Sequence, residues 1–445
     1  MQRKIIQVEQ KVPILQGLPL SFQHLFAMFG ASILVPILFN TAAQKASGDP
    51  TIQVIDPALV LLMNGIGTLI YLFLCKGKAP AFLGSSFAFL SPVFAVIASS
   101  SDVKTNFSKV LGGFILCGLV FTVTALIIGA VGTKWLDVVL PPATMGPIVA
   151  LIGLELANTA AANAGLFPKD GVFDGKAILI AMFTLGVVVF GSLLFRGFMS
   201  AIPVLFAVVA GYALSVILGY VDYAPIAAKG WVVMPHMVLP VFDINVMLII
   251  APAALVVISE HIGHLFVTGN IVGKNLIKDP GLHRSLLGDG LSTMLSGFTG
   301  SVPTTTYGEN MGVMAITRVY SVWVIGGAAV ISIVLAFVGK LSGVLSSIPG
   351  PVMGGITILL FGIIAASGIR MLVDAKVDYS KSRNLILTAL VFIVGLSGVS
   401  INIGTVPLKG MALGTVCGMA LSLLFFIFDK LNLTNDNDSE SETEA

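Results

Sequence analysis

Three carboxylates lie where an otherwise apolar sequence gives them little structural reason to be. Glu155, Glu260 and Glu309 each sit inside or beside a hydrophobic run. A charge at mid-bilayer costs roughly 2.5–3.5 kcal/mol on insertion scales, so an acid at that depth points to function. Glu260 follows the stretch from Ala251 to Ser259, and His264 stands four residues further on. On a helix this places His264 on the same face and within side-chain reach. A Glu and a His in contact in a low dielectric form a proton-accepting pair whose charge responds to whatever binds beside it. His261 is rotated by about 100° from Glu260 and reads as structural. A metal centre built on Glu260, His261 and His264 would need all three on one face, so no metal is expected.

Glu309 adjoins Gly308 at an expected break in a helix, where backbone donors and a carboxylate converge. There it also suits the first turn of the helix that follows. Phe87 and Tyr307 offer flat apolar walls. Glu155, between Gly153 and the polar Asn158-Thr159, reads as a structural residue at a helix end near the outer surface. His24 lies inside the first apolar run, where it either orients the site or makes a helix–helix hydrogen bond. His236 and His283 are expected in loops. Two carboxylates and exposed backbone N–H groups complement a planar ring with N–H donors and carbonyl acceptors, such as a pyrimidine. No basic residue is expected at midplane depth, so the ligand is neutral or proton-assisted rather than anionic.

The elements that position these residues follow from composition. The 445 residues are 56% hydrophobic and 10% charged, with a mean hydropathy of +1.00, which excludes a soluble globular domain. A spanning helix needs roughly 20 apolar residues, and the long apolar runs exclude a barrel. Fourteen candidate spans begin near residues 19, 56, 80, 108, 137, 177, 199, 246, 285, 302, 319, 349, 385 and 408. With the N-terminus inside, sixteen of the 24 Lys and Arg residues fall on the inner side, which places both termini in the cytoplasm. The net charge of +2 is dispersed over short loops and implies no nucleic-acid partner. Cys75, Cys117 and Cys417 lack metal-ligand spacing and read as small buried hydrophobes. No cleavable signal peptide is evident, and the acidic stretch from Asn435 to Ala445 reads as a disordered tail.

Internal symmetry organises the spans. Pro141-Pro142-Ala143-Thr144-Met145-Gly146-Pro147-Ile148 resembles Pro349-Gly350-Pro351-Val352-Met353-Gly354-Gly355-Ile356, at the starts of spans 5 and 12. Gln23-His24 in span 1 is echoed by Glu260-His261 in span 8, with His24-Leu25-Phe26 against His264-Leu265-Phe266 as a rival register. Ser85-Ser86-Phe87-Ala88 pairs with Thr305-Thr306-Tyr307-Gly308, and helix breakers flank both stretches: Pro80, Gly84 and Pro92 around the first, Gly297, Gly300, Pro303 and Gly308 around the second. The expected fold is an all-α polytopic membrane protein of 14 transmembrane segments. These form two inverted seven-span repeats, with short extended segments interrupting spans 3 and 10 and half-helix N–H groups facing a cavity.

At this point a family resemblance becomes visible. Glu309-Asn310-Met311-Gly312-Val313-Met314-Ala315-Ile316-Thr317-Arg318 resembles the signature of the nucleobase-ascorbate transporters, also called nucleobase:cation symporter-2. Gln23-His24 resembles the family's first-span motif. The stretches from Ser21 to Gly30 and from Lys78 to Phe89 are similar to its bacterial uracil-type subgroup. The resemblance implies an inner-membrane permease, not an enzyme, that takes up uracil by proton symport through alternating access, with xanthine, urate or another nucleobase as the alternative substrate. No cofactor is implied beyond the coupling proton. It further implies a homodimer and two domains: a core of residues 1–130 (spans 1–4) and 244–342 (spans 8–11), and a gate of residues 131–243 (spans 5–7) and 343–433 (spans 12–14), followed by the tail at 434–445.

By the same resemblance Glu260 and Glu309 bind the base through their side chains, and Phe87, Tyr307 and Gly308 through their backbones. Ala31 lies beside the pocket, His264 joins Glu260 and Glu309 in proton coupling, and His24 and Asn310 support the site. Glu at 309 favours uracil, because purine-transporting relatives often carry Gln there. Thr304 departs from the Asn typical of uracil-type members, which leaves the strand contact at that position open.

Overall fold

The computed structural model describes residues 5–168, 171–196, 199–403 and 406–434. The expected tail from Asn435 onward lies outside the described residues. The chain folds into packed helices with two small strand pairs. In the first half the main elements are α1 (Ile14–Ser47), α2 (Pro57–Leu74), β1 (Leu83–Ser85), α3 (Leu90–Ile97), α4 (Val103–Val131), α5 (Pro142–Glu155), α6 (Gly175–Leu194) and α7 (Pro203–Ile217), with shorter helices between them. The second half contains α8 (Ala253–Val272), α9 (Leu282–Thr299), β2 (Thr304–Thr306), α10 (Gly308–Thr317), α11 (Val322–Ala336), α12 (Gly350–Asp374) and α13 (Ser382–Leu396). A hairpin of β3 (Ser400–Ile403) and β4 (Val406–Lys409) leads into α14 (Gly410–Lys430). Among the described residues eight helices are long and apolar enough to cross a membrane, and four shorter apolar helices accompany them. The protein is a multi-pass membrane protein.

Local sequence sets the helix ends. Asp56 accepts a hydrogen bond from the Ala58 N–H with Pro57 in the first turn, and Asp102 and Asp174 cap α4 and α6 in the same way. Gly48, Gly273 and Gly300 close α1, α8 and α9 in the left-handed conformation. His283, expected in a loop, is the second residue of α9. The helix begins earlier than the apolar pattern suggests because its first turns are polar.

Interhelical packing relies on small residues, as it must where lipid supplies no hydrophobic drive between helices. A Cβ added to Gly118 of α4 would meet the Gly290 carbonyl of α9 at 2.7 Å, and one at Gly290 would meet the Gly118 carbonyl at 2.9 Å. Between α5 and α12, a Cβ at Gly368 would stand 2.4 Å from the Gly146 carbonyl. The two Pro- and Gly-rich motifs that resemble one another therefore open helices packed directly against each other.

The strands that cross the middle of the molecule matter most for the site. β1 and β2 are antiparallel, with Leu83 opposite Thr306, Gly84 opposite Thr305 and Ser85 opposite Thr304. The pairing continues at both ends through Ser86 N–H to Pro303 O at 2.9 Å and Tyr307 N–H to Phe82 O at 3.1 Å. Every residue of both strands is buried, so their backbone groups need these partners. Side chains supply the remainder: the Leu83 N–H donates to Thr68 Oγ1 at 2.9 Å and the Thr304 N–H to Thr293 Oγ1 at 3.1 Å.

Candidate functional site

A cavity of about 380 Å³ lies where α8, β2 and α10 meet, with Ala27 of α1 and Phe87 on one wall and Val149 of α5 and Leu360 of α12 on the other. Glu260, His264, Thr305, Thr306, Tyr307, Gly308 and Glu309 all face it. It continues toward an end lined by Ser200, Ile271, Ser367 and Arg370.

Each polar side chain is positioned by the crossing strands. Glu260, 9% exposed on α8, accepts a hydrogen bond at Oε2 from the Thr305 hydroxyl at 3.3 Å. His264 approaches the Thr306 carbonyl through Nδ1 at 2.7 Å and the Thr306 hydroxyl at 3.1 Å. A carbonyl oxygen only accepts, so Nδ1 carries a proton and Nε2 is the free ring nitrogen; a Cβ at Gly308 would stand 4.0 Å from it. The sequence places Glu260 and His264 on one face in mutual contact. The structure ties the carboxylate and the ring to successive strand residues, and both line the cavity beside β2.

Glu309 is half-buried in the first turn of α10, and Tyr307 occupies the cap position with extended backbone. The N–H groups of this turn lack intrahelical partners, and their dipole favours a carboxylate or a ligand acceptor. The Tyr307 hydroxyl donates to the Ser85 carbonyl at 2.9 Å across the strand pair. The Phe87 ring meets Phe361 of α12 edge-to-face, with centroids 5.9 Å apart. Ala31 is buried one turn beyond Ala27 and is not among the cavity-lining residues. His24 and Asn310 lie together behind the cavity, with Asn310 Nδ2 at 3.2 Å from His24 Nδ1.

A fourth acid escaped the sequence reading. Asp289 of α9 is completely buried. Its Oδ1 accepts from the Thr304 hydroxyl at 2.9 Å, and its Oδ2 lies 3.1 Å from His261 Nδ1. His261 Nε2 continues to Ser285 Oγ at 2.7 Å, and Ser285 Oγ to the Tyr71 hydroxyl at 2.9 Å. The contact left open at Thr304 is thus made by its hydroxyl with Asp289. The available signal was an Asp between Gly288 and Gly290 in a helix also carrying Ser285, Ser292, Thr293 and Ser296. Phe361 gave no signal, since a lone Phe in an apolar helix reads as packing.

Glu155 ends α5 and belongs to a different part of the molecule, where it accepts from the Ser91 hydroxyl and the Met411 N–H. Cys75 and Cys117 are buried and Cys417 is half-buried. Among the described residues no three His, Cys, Asp or Glu side chains converge for a metal ion.

Residues 15–404 match the profile Xan_ur_permease, a permease family. The chain is 55% identical over 432 residues to the Uracil permease of Escherichia coli strain K12, covering 97% of this chain and 96% of that protein. It is 54% identical over 440 residues to the Uracil permease of Paenibacillus larvae, covering 98% and 100%. The Uracil permease of Bacillus subtilis is 43% identical over 416 residues, 91% of each chain. Among solved structures, the murine Slc26a9 anion transporter in the inward-facing state superposes with a TM-score of 0.70 at 12% identity, covering 95% of this chain and 69% of that one. The transmembrane domain of the cyanobacterial bicarbonate transporter BicA gives 0.56 at 17% identity, covering 95% and 98%. These two likenesses concern the fold alone. The full-length match to the profile and to relatives above half identity decides the family: the chain belongs to the nucleobase-ascorbate transporters, a family of membrane permeases.

Proposed function

We propose that this permease takes up uracil by proton symport through alternating access. The observation that carries the proposal is the convergence of Glu260 and Glu309 on one cavity beside the free N–H groups of the α10 first turn. Uracil presents two N–H donors and two carbonyl acceptors in one plane. The two carboxylates take the donors, the backbone N–H groups of Gly308 and Phe87 serve the acceptors, and the aromatic side chains at 87 and 307 flank the ring. The relatives that match over nearly the whole chain carry the name Uracil permease, which supports the substrate. A Glu at 309 rather than an amide favours uracil over xanthine or urate.

In this reading Glu260, His264 and Glu309 share the coupling proton. His264 Nε2 and the carboxylates face the same small space, so a proton admitted there is retained while the ligand excludes water. The fourteen-span reading places the protein in the inner membrane with both termini cytoplasmic. Spans 1–4 and 8–11 form the core that carries the site, and spans 5–7 and 12–14 form the gate that moves against it. The cavity then leads to the cytoplasmic end at Ser200 and Arg370, the polar walls being supplied by the core and apolar ones by α5 and α12. The functional unit is a homodimer.

Proteoliposomes test this directly. Labelled uracil accumulates when the lumen is made alkaline and the outside acid, and stops accumulating when a protonophore collapses the gradient. Uptake indifferent to the imposed gradient would reject proton coupling. Displacement of labelled uracil by xanthine but not by 5-fluorouracil would reject the pyrimidine assignment.

A further inference from the structure

Glu155 is unused by the ligand site, yet its carboxylate is fixed from two directions. Oε1 accepts from the Ser91 hydroxyl at 2.5 Å and Oε2 from the Met411 N–H at 2.8 Å. Gly410, at φ +57°, makes room for it: a Cβ there would lie 2.4 Å from Oε1 and 2.5 Å from Oε2. A side chain at 410 would therefore be both strained and in collision with the carboxylate. The acid sits at the end of α5, where it also satisfies an N–H at the start of α14.

The two donors belong to different bodies. Met411 opens α14, which packs on α5, so the Glu155–Met411 bond is internal to one group of helices. Ser91 is the second residue of α3, the short helix that follows the Phe87–Phe89 turn at the end of β1. The Ser91–Glu155 bond thus joins the wall that holds Phe87 to the wall that holds Val149. By the fourteen-span reading the bond lies toward the outer side, whereas Ser200 and Arg370 lie toward the inner side. A pocket of about 40 Å³ surrounds it, lined by Ala95, Pro252 and Lys409 among others, and Lys409 is the other charged side chain facing this space among the described residues. Lys45 Nζ and Asn163 Oδ1 make a second contact, at 3.4 Å, between α1 and the short helix Ala157–Asn163.

We propose that the Ser91–Glu155 hydrogen bond is a latch that holds the outer side closed while the cavity is open to the other side. Glu155 is a positioning residue: it touches no ligand and sets which side of the membrane the site faces. The proposal rests on the reading that the two groups of helices move relative to one another during transport. Opening the outer side then requires the bond to break. A hydrogen bond to a charged group, half-buried, is strong enough to shift such a balance by on the order of tenfold.

The test uses the full chain with its three cysteines replaced by alanine and Ala95→Cys as a reporter, in right-side-out proteoliposomes. A membrane-impermeant maleimide reports outer access, and uracil binding to purified protein is measured in parallel. Ser91→Ala and Glu155→Gln each raise the labelling rate on the order of tenfold. Ser91→Thr, which keeps the hydroxyl, labels at the parental rate. The double variant Ser91→Ala with Glu155→Gln labels no faster than the faster single variant, because one bond has been removed either way. Parental labelling in Ser91→Ala, or equally fast labelling in Ser91→Thr, overturns the latch. Loss of uracil binding in the cysteine-replaced parent would bear on the substrate assignment instead, leaving the latch to be judged by labelling alone.

Discussion

Replacing Gly84 with alanine puts a methyl group where Tyr307 packs its ring. The added Cβ would lie 2.3 Å from Cζ, 2.4 Å from Cε2 and 2.7 Å from Cε1 of that ring. Carbon atoms settle at roughly 3.5–4.0 Å, so the ring must retreat by about 1 Å. It has little freedom to do so. Its hydroxyl donates to the Ser85 carbonyl, its backbone caps α10, and its N–H bonds to Phe82. Overpacking of this kind costs about 1–3 kcal/mol, and loss of the Tyr307 hydroxyl bond adds about 0.5–1.5 kcal/mol. The displaced parts are the ones that aim Gly308 and Glu309 at the cavity, so part of this cost appears in ligand affinity.

The expectation is at least a tenfold weaker uracil affinity for Gly84→Ala by titration calorimetry on purified protein, with a lowered Tm. Tyr307→Phe removes the hydroxyl alone and is expected to weaken binding by roughly 2- to 13-fold. In Gly84→Ala combined with Tyr307→Leu the clash is removed and the Tm recovers toward that of Tyr307→Leu alone. Parental affinity together with parental Tm in Gly84→Ala would refute the reasoning.

Further outcomes follow from the same geometry. Glu260→Ala and Glu309→Ala each abolish detectable uracil binding, since each removes a charge-assisted hydrogen bond contributing about 1.5–3 kcal/mol; near-parental affinity in either variant would remove that acid from the site. His264→Ala impairs accumulation more than affinity, read as uptake against binding in the same preparation, and normal accumulation would count against its coupling role. Asp289→Asn leaves Thr304 and His261 without their carboxylate and lowers the Tm; restoration of the parental Tm by ligand alone would show that the network serves binding rather than the fold. At the surface, the Lys78 ammonium, 2.7 Å from Asp279, holds the Asp279 carboxyl below the usual carboxylate range. A depressed pKa gives stability that is present above the ordinary Asp value of about 4 and lost as pH falls through the depressed one. The Tm difference between the parent and Asp279→Asn is therefore largest near neutrality and shrinks in acid; a constant difference would exclude the ion pair as its source.

The legible part of this molecule was the part where chemistry conflicts with its surroundings. Glu260 and Glu309 stood out because a carboxylate in an apolar run has few structural excuses. Gly84, Gly300 and Pro303 marked the places where helices give way to the paired strands. The resemblance around Glu309–Arg318 added Asn310, which composition does not single out. Asp289 was hidden by its neighbours: polar residues and glycines on α9 make an acid look like part of a helix end, and only the tertiary contact with Thr304 and His261 reveals its depth. The strand partners of Glu260 and His264 were hidden for a related reason. Helical spacing gives proximity, but β2, more than forty residues away, offers each side chain a better partner. Phe361 became visible only when α12 was packed against Phe87.

The β1–β2 pairing also constrains how the protein is made. Leu83 and Thr306 are partners, and the Ser85 carbonyl waits for a hydroxyl that arrives 222 residues later. Until that second segment has been synthesised and inserted, the first half holds a stretch of open backbone with neither water nor chain to satisfy it. A ribosome stalled before Thr304 leaves an unfinished client for membrane quality control, whereas two separately expressed halves meeting in one bilayer have a ready seam along which to rejoin.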